Sequence, residues 1–187
     1  MIRSRHLIPL MALTLATTGC GYNQIQTLDE QVNKAQGQIA AQLQRRADLI
    51  PNLVETVKGY ARQEDTIFIA VANARAKLAG SIQSGNVDSM AAANQALNAP
   101  LGRLLAISEN YPQLKSDAYF RALQDELTGT ENRIATSRQD YNDAVNQFNG
   151  YIRRFPYNLT AKLFGMSTPR VYFQAKEGAE EAPKVKF

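Results

Sequence analysis

The amino-acid sequence predicts an all-α protein made of a few long helices. Apolar residues recur at alternating steps of three and four over three long segments, which is the spacing of one helix face. The composition agrees, because alanine, leucine, glutamine and asparagine are frequent, only 8% of the residues are aromatic and tryptophan is absent. A chain of 187 residues with 44% hydrophobic residues suits one domain plus a targeting segment.

The first twenty residues have the pattern of an export signal. Arg3 and Arg5 form a basic start, residues 7–16 are apolar, and small residues lead to the thiol of Cys20. This ending is similar to a bacterial lipobox, in which the cysteine that follows the cleavage site carries the lipid, although Thr17 stands where an aliphatic residue is usual. We therefore expect residues 1–19 to be a lipoprotein signal peptide and Cys20 to be the lipidated residue.

Two other interpretations of this N-terminus are an uncleaved membrane anchor and soluble secretion. The apolar stretch before Cys20 has about 14 residues, whereas a membrane-spanning helix needs about 20. Gly21, in place of an acidic residue, is similar to signals that sort lipoproteins to the outer membrane. We expect a protein anchored in a membrane of the bacterial cell envelope, facing the periplasm or the exterior.

Charge and residue counts exclude several classes of function. The formal net charge is +4, and removal of Arg3 and Arg5 with the signal leaves about +2, which is weak support for nucleic-acid binding. Cys20 and His6 are the only residues of their types, so neither an intramolecular disulfide nor a histidine-based triad can form. We expect no nucleic-acid partner, no cofactor and no metal.

The first long helix is predicted to begin near Ile25 and to include residues 42–60. Its apolar seam keeps its phase as far as Leu78. The pattern therefore predicts one long helix or two helices in series, ended by Gly80 and the cluster at residues 84–86.

Pro51 lies within this seam. A proline in a helix interior removes one hydrogen bond and crowds the carbonyl group of Ala47. We interpret Pro51 as a kink in a continuous helix, because the apolar phase continues on both sides; the alternative is that the chain turns back there.

Three further helices are predicted. The second covers residues 87–110 and is kinked by Pro100. The third covers residues 120–155, with Ser116 as its candidate N-cap and Pro156 as its stop. A short fourth helix, from about residue 158 to 164, ends at Gly165. The chain after residue 166 is expected to be an extended and mostly mobile tail, residues 167–187.

Several blocks of the chain resemble the LemA family of bacterial envelope proteins. They are RRADLIPNLVETVKGYA (residues 45–61), the Ala74-Arg75 pair, LLAISENYPQLK (104–115), LQDELTGTENRIATSRQDYNDAV (123–145), FNGYIRRFP (148–156) and the C-terminal residues 172–173 and 183–187. The resemblance implies an elongated, antiparallel up-and-down four-helix bundle over residues 20–166, tethered by its N-terminus on the outer side of the cytoplasmic membrane. The family's biochemical role is poorly defined.

Two polar clusters are candidates for function. One interpretation pairs the carboxylates of Glu131 and Asp48 for acid–base chemistry or metal binding, although no histidine is expected in the mature chain. The other is structural: Arg46, a cation on the apolar seam, meets a carboxylate such as Glu131 and fixes the helix register. The clusters consist of Arg45, Arg46, Asp48, Pro51, Asn52 and Glu55 in the first helix and Glu131, Asn132, Arg133, Arg138, Tyr141 and Asn142 in the third.

The Arg153-Arg154 pair forms a basic edge beside four residues with rings, Tyr151, Phe155, Pro156 and Tyr157. Such an edge can rest on lipid headgroups or on a partner protein, and it can also be a solvated helix end.

These features predict a non-catalytic, membrane-tethered scaffold or adaptor for other envelope proteins, which would be its partners. The main alternative is a module that binds a lipid or a small apolar ligand between its helices. An enzyme that acts through Glu131, Asp48 or Tyr141 is the third interpretation.

Overall fold

The computed structural model of the protein describes the backbone of residues 7–174 and the side chains of residues 21–174. Every regular element in this part of the chain is a helix, so the all-α prediction is confirmed. The helices are α1 (Leu7–Tyr60), α2 (Asp65–Ser84), α3 (Val87–Asn110), α4 (Pro112–Ser116), α5 (Ala118–Arg153) and α6 (Tyr157–Leu163).

The predictions for the two ends of the chain lie largely outside these residues. Residues 1–6, and the side chains of the remaining signal residues and of Cys20, are not among those described, and neither are residues 175–187 of the tail. Within the described part of the chain, no helix contains a segment that is both long enough and apolar enough to cross a membrane.

Helix α1 passes through Pro51 without interruption and ends at Tyr60. The chain therefore does not turn back at Pro51. The segment with the continuous apolar seam forms two helices in series, α1 and α2, rather than one long helix. Residues 61–64 separate them, with the N–H of Ala61 donating to the carbonyl of Val57. Four residues are close to one helical turn of 3.6 residues, so the spacing of the apolar residues continues across the break. The sequence pattern therefore does not reveal the break.

Helix α2 runs antiparallel to the last part of α1. Arg75, late in α2, contacts Ala47, whereas Asp65, at the start of α2, shares a groove with Lys58. The reversal lets α2 cover part of the apolar face of α1, whose residues such as Leu53 are fully shielded from solvent.

The connection from α2 to α3 follows its sequence signals closely. Gly85 takes the left-handed conformation with φ 64°, which favours glycine, and Asn86 caps α3 by accepting a hydrogen bond from the N–H of Ser89 at 2.8 Å. Gly80 lies inside α2, so the expectation that it helps to end this helix was wrong. An interior glycine only lowers helix propensity, by roughly 1 kcal/mol, and the left-handed Gly85 ends the helix.

The N-cap of α5 is Asp117 rather than Ser116. A carboxylate oxygen of Asp117 accepts a hydrogen bond from the N–H of Phe120 at 2.8 Å. Ser116 is the last residue of the short helix α4, and its hydroxyl donates to the carbonyl of Gln113 at 3.0 Å. The predicted cap was therefore one residue early, because α4 had not been foreseen.

The described chain forms two compact units. Among the described residues, the terminal unit comprises the chain up to Gln36 and Asp140–Tyr172, and the central unit comprises Gly37–Gln139 and the residues from Phe173 on. Helices α1 and α5 contribute to both units, whereas α2, α3 and α4 belong to the central unit and α6 to the terminal unit. Each unit has its own buried apolar residues, among them Ile25, Val32, Val145 and Phe148 in the terminal unit and Leu43, Leu53, Leu104, Phe120 and Ile134 in the central unit.

Candidate functional site

Pro51 is the point at which α2 is bonded to α1. Because proline has no N–H, the carbonyl of Ala47 lacks its usual helical donor. The Nε of Arg75 in α2 donates to this carbonyl oxygen at 2.8 Å. Ala47 is only 1% exposed, so water has little access to replace that donor. The hydrogen bond missing from α1 is thus supplied by α2, and the contact ties the two helices together.

Pro100 in α3 provides a contrast. The carbonyl that it deprives of a helical donor belongs to Ala96, which is an exposed residue. Solvent can hydrate this carbonyl, so no side chain is needed there. The two prolines therefore differ in the burial of the residue whose carbonyl loses its helical donor, Ala47 being buried and Ala96 exposed.

An apolar groove of about 440 Å³ lies between the last part of α1 and α2, in the central unit. Phe68 is buried in it, and Ile69 is 60% exposed at its edge. The Nζ of Lys58 lies 5.5 Å from the centre of the Phe68 ring and 3.5 Å from an oxygen of Glu55. The groove thus has an apolar floor and a rim that carries both charges. Its lining residues are Ile50, Pro51, Val54, Glu55, Lys58, Asp65, Phe68, Ile69, Ala72 and Arg75.

Arg46 is buried in the central unit, where its guanidinium is surrounded by polar groups from α3 and α5. Its Nη1 donates to the amide oxygen of Asn94, and its Nη2 donates to that of Asn98 at 2.9 Å. The Nη1 also lies 2.6 Å from a carboxylate oxygen of Glu131. The structure therefore brings together Arg46 and Glu131, the pair that the structural interpretation of the sequence expected.

Burial lowers the pKa of Arg46, and the charge of Glu131 opposes this shift. The guanidinium stays protonated, because arginine side chains are not deprotonated in proteins at ordinary pH. The Nε of Arg46 is buried without a hydrogen-bond partner, and the contact with Oε2 of Glu131 is an ion pair by distance without the geometry of a hydrogen bond. The buried charge of Arg46 is therefore balanced by only a few contacts. Because these contacts come from α3 and α5, they suit a residue that fixes the register of α1 against both helices.

Arg45 belongs to a second, exposed network. Its Nε donates to Glu126 at 2.8 Å, and the same carboxylate oxygen accepts from Arg133 at 2.7 Å. The hydrogen bond from Arg45 is the main reason that the pKa of Glu126 lies below its usual value. This network joins α1 to α5 beside the buried Arg46 cluster.

The structure does not assemble the carboxylate pair of the catalytic interpretation. Asp48 is exposed and accepts a hydrogen bond from Gln44 at 2.8 Å. Two residues along a helix correspond to about 200° of rotation, so Asp48 faces away from Arg46 and its partner Glu131. In residues 21–174, no three His, Cys, Asp or Glu side chains are placed to hold a metal ion. The other predicted members Asn52, Glu55 and Asn132 are exposed, and Asn142 is half-buried.

Tyr141 and Arg138 support the start of the tail. The hydroxyl of Tyr141 donates to the carbonyl of Val171 at 2.9 Å. The guanidinium of Arg138 lies 4.8 Å from the centre of the ring of Phe173, a residue only 4% exposed. These two predicted site residues therefore have packing roles in the described part of the tail.

The tail is also bonded through Arg170. Asn149 donates to the carbonyl of Arg170 at 2.9 Å and accepts from its N–H at 2.8 Å, as a strand partner would. The guanidinium of Arg170 forms an ion pair with Asp29 of α1 at 2.7 Å. Residues 170–173 are thus held by the helices, so the expectation of a mobile tail was wrong for them, and residues 175–187 lie outside the described residues.

Sequence reasoning missed several of these contacts. Asn94 recurs at the spacing of the buried residues of α3, and a polar amide among such residues is a signal that could have identified it as a hydrogen-bond partner of a buried cation such as Arg46. Arg75 appeared only within a short family motif. Nothing in the sequence indicates Asn149, since its partners are backbone groups, or Arg170, since its partner Asp29 lies in a distant segment of the chain.

Acidic pH is expected to destabilise the central unit. The N–H of Phe120 and then the hydroxyl of Tyr60 hold the pKa of Asp117 below its ordinary value of 3.8, and Arg45 does the same to Glu126, whose ordinary value is 4.5. A carboxylate whose pKa is lower in the folded protein stabilises the fold at pH values above its ordinary pKa. This stabilisation is lost as the pH falls from the ordinary pKa through the lowered one. Melting followed by circular dichroism from about pH 6 to about pH 3 should show a falling melting temperature. In Asp117→Asn, which keeps a capping side chain but cannot titrate, the fall should be smaller; an unchanged fall would exclude Asp117 as a contributor.

Comparison with known proteins identifies one matching family and several relatives. A family model described as the LemA family matches residues 35–187, a range that includes Arg46, Pro51, Arg75 and Glu131. Magnetosome protein MamQ 2 and magnetosome protein MamQ 1 of Paramagnetospirillum magneticum are each 28% identical over 191 residues, covering 89% of this chain and 69% of theirs. Magnetosome protein MamQ of Magnetospirillum gryphiswaldense is 23% identical, covering 84% of this chain and 66% of its own.

Proposed function

The chain belongs to the LemA family, and on that premise we propose that it is a non-catalytic, membrane-tethered envelope protein that acts as a helical scaffold or adaptor for other envelope proteins. The proposal includes the elongated antiparallel four-helix bundle with a kinked first helix, and a tether through lipidated Cys20 or an uncleaved anchor. It also includes a location facing the periplasm or the exterior. Its relatives are named for the magnetosome rather than for a reaction, which supports a role without catalysis.

The apolar groove between α1 and α2 is the observation that carries the adaptor role. Its walls are two antiparallel helices that present apolar residues one turn apart, such as Pro51 and Val54 on α1 and Ile69 and Ala72 on α2. Two such helices leave a position for a third, in the way that amphipathic helices bind grooves of other proteins. The mixed charges of the rim suit a partner helix with both charges beside its apolar face.

The groove also gives some support to the alternative, a binding module for a lipid or small apolar ligand. Its volume of about 440 Å³ is within the usual range for ligand sites. Such sites enclose most of the ligand surface, however, whereas Ile69 at the edge of this groove is 60% exposed. The openness of the groove therefore favours a protein helix as its occupant.

A photo-crosslinking amino acid at position 69 of the full chain, in its native envelope, tests this proposal. The expected result is an adduct with one or a few proteins of defined mass, because the partner helix covers Ile69. The matched control carries the same amino acid at Tyr119, which is 56% exposed and lies outside the groove. An adduct of lipid mass at position 69 would support the alternative, and no adduct above the Tyr119 control would refute both.

A second substitution shows whether such an adduct depends on the groove. Ala72 lines the groove and is exposed, so Ala72→Arg should fill the groove without disturbing the buried residues. We expect this change to abolish the adduct from position 69. The matched change Asn132→Arg, at another exposed helix position, should leave the adduct unchanged.

A further inference from the structure

A cluster of large apolar side chains is exposed at the end of α5 and on α6. Phe155, Leu159, Leu163 and Phe164 are 50% to 80% exposed, and they are four of the nine large hydrophobic residues exposed among those described. They lie within ten residues of the chain. Single exposed apolar residues are ordinary on a protein surface, but a contiguous group of this kind marks a contact surface.

The same surface carries only positive charge. Arg153, Arg154 and Lys162 are exposed beside these apolar residues, and residues 144–174 contain no aspartate or glutamate. Exposed aromatic and aliphatic residues flanked by arginine and lysine are the combination found in surfaces that enter the headgroup region of a bilayer.

Helix α6 is packed against the first described side chains of α1. The ring of Tyr22 lies 4.6 Å from that of Phe164, measured between ring centres. A Cβ atom on Gly21 would lie 2.9 Å from Cδ1 of Tyr157, so a residue with a side chain at position 21 would displace this ring. The apolar surface is therefore fixed beside the residues that directly follow Cys20, where the predicted membrane tether begins.

We propose that this surface, formed by Arg153, Arg154, Phe155, Leu159, Lys162, Leu163 and Phe164, rests in the headgroup region of a bilayer that contains anionic lipids. A solvated helix end would account for the arginines but not for the four exposed apolar side chains. The tether beside Gly21 holds the surface close to the bilayer, so the contact needs little affinity of its own. The proposal depends on the membrane tether of the proposed function, but not on its adaptor role.

The absence of tryptophan from the chain makes a direct test available. The full-length variant Phe155→Trp would be reconstituted in vesicles of phosphatidylcholine and phosphatidylglycerol at a ratio of roughly 7:3. We expect a blue-shifted tryptophan emission that is quenched by lipids brominated on their acyl chains. The matched control Tyr119→Trp, at an exposed residue of the central unit, should emit as in water and show no quenching.

The charge contribution is tested in the same variant. Replacing Arg153, Arg154 and Lys162 together by glutamine should lower the equilibrium constant for surface contact by about 100-fold in anionic vesicles, since each cation contributes about fivefold. In vesicles of phosphatidylcholine alone, the same triple change should have little effect.

Flotation of the vesicles separates the possible failures. A chain that floats with the vesicles while its Phe155→Trp emission stays unquenched would overturn the membrane surface and leave the tether intact. A blue shift without quenching by brominated lipid would mean that a second copy of the chain covers the surface, and would also overturn the proposal. A chain that does not float would refute the tether and this surface together.

Discussion

Replacing Glu131 by glutamine is expected to lower the free energy of unfolding by about 2 kcal/mol. The guanidinium of Arg46 stays charged, and its side chain is only 6% exposed, so the loss of Glu131 would leave a buried cation with amide oxygens alone. Breaking a fully buried pair costs about 3–5 kcal/mol. The side chain of Glu131 is 44% exposed, which places the expected loss below that range.

Equilibrium unfolding in urea measures this difference, with Glu55→Gln as the matched control. Glu55 is exposed, and its ion pair with Lys58 is long at 3.5 Å, so its replacement should change stability very little. If Glu131→Gln unfolded like the unaltered chain but abolished the adduct from position 69 or an envelope phenotype, the register role would be wrong and a chemical role for Glu131 would return.

Replacing Arg75 by methionine is expected to lower the free energy of unfolding by about 1.5–3 kcal/mol, the usual effect of a hydrogen bond from a charged donor. Methionine keeps much of the apolar stem but leaves the buried carbonyl of Ala47 without its donor from Arg75. We also expect a weaker adduct from position 69, because Arg75 holds one wall of the groove. Arg103→Met, at an exposed position of α3, is the matched control and should be nearly neutral.

The sequence was most informative where a single residue type decides the local structure. The bounds of α3 and α6 follow from Asn86, the Asn110-Tyr111-Pro112 run and the left-handed Gly165, each of which acts within a few residues of itself. The pairing of Arg46 with Glu131 was predictable for a similar reason, since a cation on an apolar seam needs a buried acceptor.

Apart from the pairing of Arg46 with Glu131, contacts between distant segments were not predictable. The break after Tyr60 is hidden because its four residues preserve the helical phase, and only the packing of α2 on α1 reveals it. The contact between Arg75 and the carbonyl of Ala47 leaves no pattern, because a backbone acceptor has no residue type. Asp117 was passed over for Ser116 because the short helix α4 lies between α3 and α5.

Pro51 and Arg75 act as one unit that fixes α2 against α1 and so forms the groove. A double-mutant cycle of Pro51→Ala and Arg75→Met, measured by unfolding in urea, tests this coupling most directly. An alanine at position 51 supplies an N–H to the carbonyl of Ala47, so Arg75→Met should cost at least about 1 kcal/mol less in that background than in the unaltered chain. Equal losses in the two backgrounds would contradict the claim.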